Sequence, residues 1–90
     1  MSLKKKIDGS EATSRVQRYF SDQYGSAGVV LFEVERAYFD KENDKWVVKC
    51  SFYRTMLSPM KSMYTIEVYS DGTLGNIVKE EKTAHESEDL

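Results

Sequence analysis

The residues able to do chemistry in this chain are few and far apart. His85 is the only histidine and Cys50 the only cysteine among 90 residues. A Ser/His/Asp or Cys/His unit would have to draw His85, in the polar C-terminal stretch, into hydrogen-bond reach of a nucleophile held elsewhere. Cys50 alternates with Val48 and Phe52, the pattern of a small buried apolar side chain and not of a reactive thiol. One His and one Cys so placed match no zinc spacing. The run Asp40-Lys41-Glu42-Asn43-Asp44 carries oxygen ligands without the spacing or the glycine of a calcium loop, and reads as a solvated turn. Gly25, Gly28, Gly72 and Gly75 are accounted for by a helix end, a strand entry and a hairpin, leaving no phosphate cradle. The expectation is a chain that is not an enzyme, with no catalytic residue, metal or cofactor.

What remains is the chemistry of contact, and the elements that would position it follow from periodicity. Asp8 and Glu11 fit a capping box. Ala12, Val16, Tyr19, Phe20 and Tyr24 then form one helical stripe, and Gly25 supplies a left-handed C-terminal cap. From Val29 to Phe39 the period becomes two, with Val30, Phe32, Val34 and Tyr38 on one face and Leu31, Glu33, Glu35 and Ala37 on the other. Lys45 to Arg54 alternates likewise, with Trp46, Val48, Cys50 and Phe52 facing the core. Pairing Phe39 with Lys45 sets Tyr38 opposite Trp46, Val34 opposite Cys50, and Glu35 opposite Lys49. A third strand carries Tyr64, Ile66 and Val68 inward and Thr65, Glu67 and Tyr69 outward. Facing Arg54 with Ser62 would complete a row of Glu35, Lys49 and Glu67, and a slip of two residues would lose it. Asp71 and Gly72 can both take the positive φ of a two-residue hairpin turn, leading to a short strand from Leu74 to Lys79.

The expected fold is therefore α+β, one N-terminal helix packed on a four-stranded antiparallel meander in the order αββββ. Residues 1–7 read as a leader, 8–79 as a single domain and 80–90 as a disordered acidic tail. Ninety residues, 40% hydrophobic and 31% charged, suffice for one core and not two. The net charge of −2 arises from interspersed signs, so no global field draws in nucleic acid or an anionic membrane, and neither is expected as a partner. Lys4 to Lys6 are followed by Ile7-Asp8-Gly9-Ser10 and not by the apolar run of an export signal. A lone cysteine also suits a reducing compartment, so a cytoplasmic location is expected.

Two surfaces could carry contacts. On the sheet face turned away from the helix, Leu31, Val47, Tyr53, Tyr69 and Leu74 surround Glu67 and the charged row. Such a face is a half-wet antiparallel surface, a protein or self-association patch, or a platform for bases. Between Thr55 and Ser62, Pro59 excludes a central strand and Met56, Leu57, Met60 and Met63 make an unusually apolar loop. That loop is either an adaptable partner site or a plug under the end of the core.

One helix followed by a meander, ending in Tyr64-Thr65-Ile66-Glu67-Val68-Tyr69-Ser70-Asp71-Gly72-Thr73-Leu74, resembles the PepSY domain and its wider cystatin-like relatives. The resemblance implies a curved sheet wrapped on a helix and supplies no catalytic residue. Trp46-Val47-Val48, Pro59 and the same closing strand also look like a small gas-vesicle accessory protein family. A double-stranded RNA-binding domain shares the helix-then-meander order but needs a second helix where this chain has Asp71-Gly72 and a fourth strand. The leading functional expectation is a protein-interaction or regulatory domain, a homodimer through the outer face or a sheet edge or a partner of another protein. The candidate contact residues are Val47, Tyr53, Met56, Leu57, Met60, Glu67, Tyr69 and Leu74. The alternative is a small-ligand pocket between helix and sheet.

Overall fold

The computed structural model describes residues 6–80. Helix α1 runs Gly9–Tyr24, and the Asp8 carboxylate caps it by accepting the Glu11 backbone N–H at 2.9 Å. The reciprocal half of the capping box is replaced, because the Glu11 carboxylate pairs with Arg15 one turn on, at 3.0 Å. Ala12, Val16 and Phe20 are fully buried, and Tyr19 and Tyr24 are half-buried beside them. Gly25 ends the helix at φ 80 and ψ 157. Its φ is positive as expected, but its ψ is extended instead of left-handed helical, a region essentially reserved for glycine.

A 3₁₀ turn at Ser26–Gly28 delivers the chain to β1 (Val30–Asp40), followed by β2 (Lys45–Tyr53), β3 (Ser62–Tyr69) and β4 (Leu74–Glu80). The strands lie in sequence order as one antiparallel sheet, so the fold is the α+β, αββββ arrangement. Alternation sends Val48, Cys50 and Phe52 of β2 and Tyr64, Ile66 and Val68 of β3 toward the helix, where all are buried. Phe20 is the hub: its ring centroid lies 4.9 Å from that of Phe52 and 4.7 Å from that of Tyr64, the separations at which tilted aromatic pairs attract.

The registers differ from those read off the pattern. β1 pairs Val34 with Cys50 as expected, but Arg36, not Glu35, faces Lys49 and Phe39, not Tyr38, faces Trp46. A bulge places Glu35 and Arg36 together opposite Lys49, and every later side chain changes face. Phe39 therefore packs edge-on against Trp46 at 5.2 Å, while Tyr38 moves to the face away from the helix and sits under Arg36. A second shift between Val30 and Glu33 brackets Leu31, whose φ is 56. Between β2 and β3 the slip of two residues is realised. Phe52 faces Ser62 and Lys49 faces Thr65, so the row of Glu35, Lys49 and Glu67 does not form. In β4 an irregularity between Ile66 and Val68 brings Leu74 opposite Val68 and packs it on the core. Leu74 is thus not an outer-face contact residue.

The turns gather at one end. The β1–β2 loop is Lys41–Asp44, closed by the Asp40 carboxylate accepting from the Asn43 side-chain amide at 2.9 Å. The last hairpin turns through three residues, with Tyr69 N–H donating to Thr73 O at 2.8 Å and positive φ at Gly72 alone of the Asp71-Gly72 pair. This is the three-residue turn with a left-handed glycine in place of the two-residue type. Ser70 ties the two turns by donating to the Asp44 carboxylate at 2.8 Å, which holds that carboxyl below its ordinary range, helped by Lys6. Ile7, assigned to the leader on sequence, donates its N–H to Ser70 O at 2.9 Å and accepts from Trp46 Nε1 at 3.3 Å. Glu80, assigned to the tail, belongs to β4 and faces Met63.

Two outcomes test this core. Phe20→Ala should destabilise the fold by about 3–5 kcal/mol, the usual cost of removing a fully buried phenylalanine, measured by chemical denaturation. Burial, with a smaller contribution from the Glu35 charge, pushes the Cys50 thiol up to about 12. Burial and the Tyr24 hydroxyl push Tyr64 up to about 12. Both are held neutral in the fold, so their contribution is whole below the ordinary values of 9.0 and 10.0 and is lost as pH rises toward about 12. Thermal midpoints should accordingly fall through that window, and Cys50→Ala should remove part of the slope.

Candidate interaction surface

No residue of β1 or β4 is fully buried, and the face away from the helix also needs an account, because a single helix covers only the middle of a four-stranded sheet. The uncovered face carries Lys45, Val47, Lys49, Ser51 and Tyr53 from β2 and Met63, Thr65, Glu67 and Tyr69 from β3, set by the observed pairing. It is laced by cross-strand ion pairs and hydrogen bonds. Lys45 meets Glu67 at 2.9 Å, which raises the Lys45 pKa, and Asn76 donates to the same carboxylate at 3.3 Å. Glu80 accepts from Thr65 at 2.8 Å and pairs with Lys49 at 3.4 Å. Ser51 is fully buried and donates to Glu35 at 2.7 Å. The Tyr69 ring lies over the bare backbone of Gly75, where an added Cβ would come within 2.9 Å of it. Of the residues expected on this face, Val47, Tyr53 and Glu67 are half-buried and Tyr69 is partly exposed. The face is a wet antiparallel surface whose polar groups already have partners.

The opposite end of the sheet from the tied turns is different. Leu57 is 90% exposed, Met56 79%, Leu31 72% and Met60 63%. Met56, Leu57 and Met60 therefore do not plug the core. Nor is this loop loose. Thr55 O accepts the Ser58 N–H at 3.2 Å, Ser58 Oγ accepts the Thr55 N–H at 3.3 Å, the two hydroxyls lie 3.1 Å apart, and Thr55 Oγ1 accepts the Leu57 N–H at 3.1 Å. Such side-chain bonds to the backbone are what fix a turn. Here they fix one whose two central residues are Met and Leu, where turns ordinarily carry polar side chains.

Both stems are anchored as well. The Arg54 guanidinium stands 3.7 Å from the centroid of the Tyr24 ring. Lys61 meets Glu33 at 3.1 Å and Glu35 at 3.8 Å, and the bond to Glu33 raises the Lys61 pKa. Leu31 stands beside the turn with its positive φ, a conformation a bulky side chain adopts only at an energetic cost. Two open concavities flank Leu31 and Tyr53. The larger, about 400 Å³, is bordered also by Phe32, Glu33 and Lys61, and the smaller, about 100 Å³, by Val30, Thr55, Met56 and Ser58. Both lie outside the layer between helix and sheet, which is filled there by Phe20, Phe52 and Val16 at 0–1% exposure.

Sequence reasoning found Met56, Leu57 and Met60 from composition but not the turn that presents them. Leu31 stands exposed, as its alternation predicts, although its positive φ beside the loop was not foreseen. Tyr38 was misjudged because the bulge before it is a one-residue event. Among the described residues no group of three or more His, Cys, Asp or Glu could hold a metal ion, and no helix is long and apolar enough to cross a membrane. His85 lies outside the described residues. Comparison with known families, with curated proteins and with solved structures finds no match.

If Thr55 organises the turn, Thr55→Val should speed hydrogen exchange at the Leu57 amide about five-fold, the effect of losing a bond of about 1 kcal/mol. Amides of β2 and β3 should exchange as before.

Proposed function

We propose that this chain is a non-enzymatic protein-contact domain whose contact surface is the apolar end formed by Leu31, Met56, Leu57 and Met60. A single observation carries the reading: Met56 and Leu57 stand 79% and 90% exposed at the centre of a turn that four hydrogen bonds hold in place. Exposed apolar side chains scattered over a surface need no explanation, but a contiguous set marks a site of association. Preorganisation strengthens the argument. A loop already fixed in one conformation loses little entropy on docking, so more of its buried area appears as affinity. Methionines add tolerance for an irregular opposing surface. The outer sheet face, with its paired charges, is the weaker candidate for such a contact, and a sheet edge on β1 is interrupted by bulges.

The reading excludes a structural role for these side chains, since Leu57→Ser and Met56→Ser would change folding stability by no more than about 0.5 kcal/mol. It is tested by placing a photo-crosslinking side chain at Leu57 in cells that make the protein, with Lys41 in the opposite turn as the control. Protein adducts should form from Leu57 and not from Lys41. Equal or absent adducts at the two positions would remove the reading.

A further inference from the structure

We propose that Met56 and Met60 form an oxidation site for hydrogen peroxide, at which conversion of their thioethers to sulfoxides turns this end of the domain from apolar to polar and releases a bound protein. The release rests on the protein-contact reading; the selectivity of the oxidation rests on the fold alone. Met56 is 79% exposed and Met60 63%, so peroxide meets both side chains at the surface. Met63, by contrast, is half-buried in β3, set between Ser51 and Glu80 of the neighbouring strands. Susceptibility to oxidation follows exposure, and the loop and the strand are thereby told apart.

In the reaction a sulfur lone pair attacks one peroxide oxygen and the O–O bond breaks. The departing hydroxide takes the proton left on the transferred oxygen and becomes water. Each thioether gives up an electron pair and gains an oxygen, and each peroxide is reduced. The product is a polar, chiral side chain in place of a flexible apolar one. Among the described residues the competing sulfur nucleophile is Cys50. Its thiol is fully buried and is pushed up to about 12, chiefly by burial, so the reactive thiolate is scarce at neutral pH. Peroxide chemistry in this domain is therefore steered to the thioethers of the loop. The turn itself withstands the change, because its hydrogen bonds run through Thr55, Ser58 and the Leu57 N–H and none through a methionine. Oxidation alters what the end displays and not where it stands. Sulfoxide reductases return either epimer to the thioether, which makes the change reversible at a site this open.

The purified chain is treated with dilute hydrogen peroxide and its peptides are weighed over time. Met56 and Met60 should take up oxygen several-fold faster than Met63, with Cys50 unmodified. In urea, where the fold no longer discriminates, these methionines should react at one rate. The oxidised chain should keep its thermal midpoint and lose retention on a phenyl column, whereas a chain carrying Met56→Leu and Met60→Leu should keep its retention after peroxide. Photo-adducts from Leu57 should be lost on peroxide treatment of the wild-type chain and kept by the leucine variant. Equal rates in the folded chain, the same order of rates in urea, oxidation of Cys50 ahead of the loop, a lowered thermal midpoint or an unmoved retention would each overturn the site. Adducts from Leu57 that persist after peroxide would overturn the release and leave the protein-contact reading standing. Selective oxidation with no adducts from Leu57 would remove that reading, and the release with it, and leave the oxidation site standing.

Discussion

The seating of Phe20 between Phe52 and Tyr64 is the contact on which the remainder depends. Its ring is 1% exposed and lies within 5 Å, centroid to centroid, of both partners, joining the helix to the two central strands at once. Because Phe20 lies in the last turns of α1, it also fixes the angle at which Tyr24 leaves the core. Tyr24 in turn supports the Arg54 guanidinium, and Arg54 begins the loop that carries Met56 and Leu57. A line of packed groups thus runs from the centre of the fold to its most exposed apolar residues. The loop inherits its position from the core.

A second constraint is coverage. One helix of 16 residues cannot shield both faces of four strands, so the chain leaves one face to water and spends charged and polar side chains there. Lys45 with Glu67, and Lys49 with Glu80, neutralise each other across strands. The more exposed of the two, Lys49 with Glu80, contributes little to stability; together the pairs make that face unattractive to other apolar surfaces. The loop end lacks such pairing over Leu57 and Met56. The contrast between the two surfaces locates the candidate site.

Much of this was legible in the sequence, for identifiable reasons. The Asp8 cap, the stripe from Ala12 to Tyr24 and the alternation in β2 and β3 are periodic over many residues, and a period survives local irregularity. The β1 register was not legible beyond Val34, because a bulge adds a single residue and leaves no compositional mark. Its consequence, the exchange of Tyr38 for Phe39 as the residue packed against Trp46, follows only once the bulge is known. The β2–β3 offset turned on two residues of loop, and both offsets bury the same side chains. Burial cannot choose between them, and the appealing row of Glu35, Lys49 and Glu67 was the wrong tiebreaker. The loop's chemistry was legible and its direction was not, since the same Met and Leu residues would serve as well beneath the core as outside it.

The two irregularities in β1 have an effect beyond register. A regular edge strand offers an unbroken comb of N–H and C=O groups, and chains joined along such combs can add copies without limit. In β1 the comb is broken near Leu31 and again near Glu35, which shortens the regular runs a second strand could pair with and hinders growth along this edge. A domain that displays Met and Leu on a rigid turn can in this way remain sticky at one point and still avoid becoming a fibre.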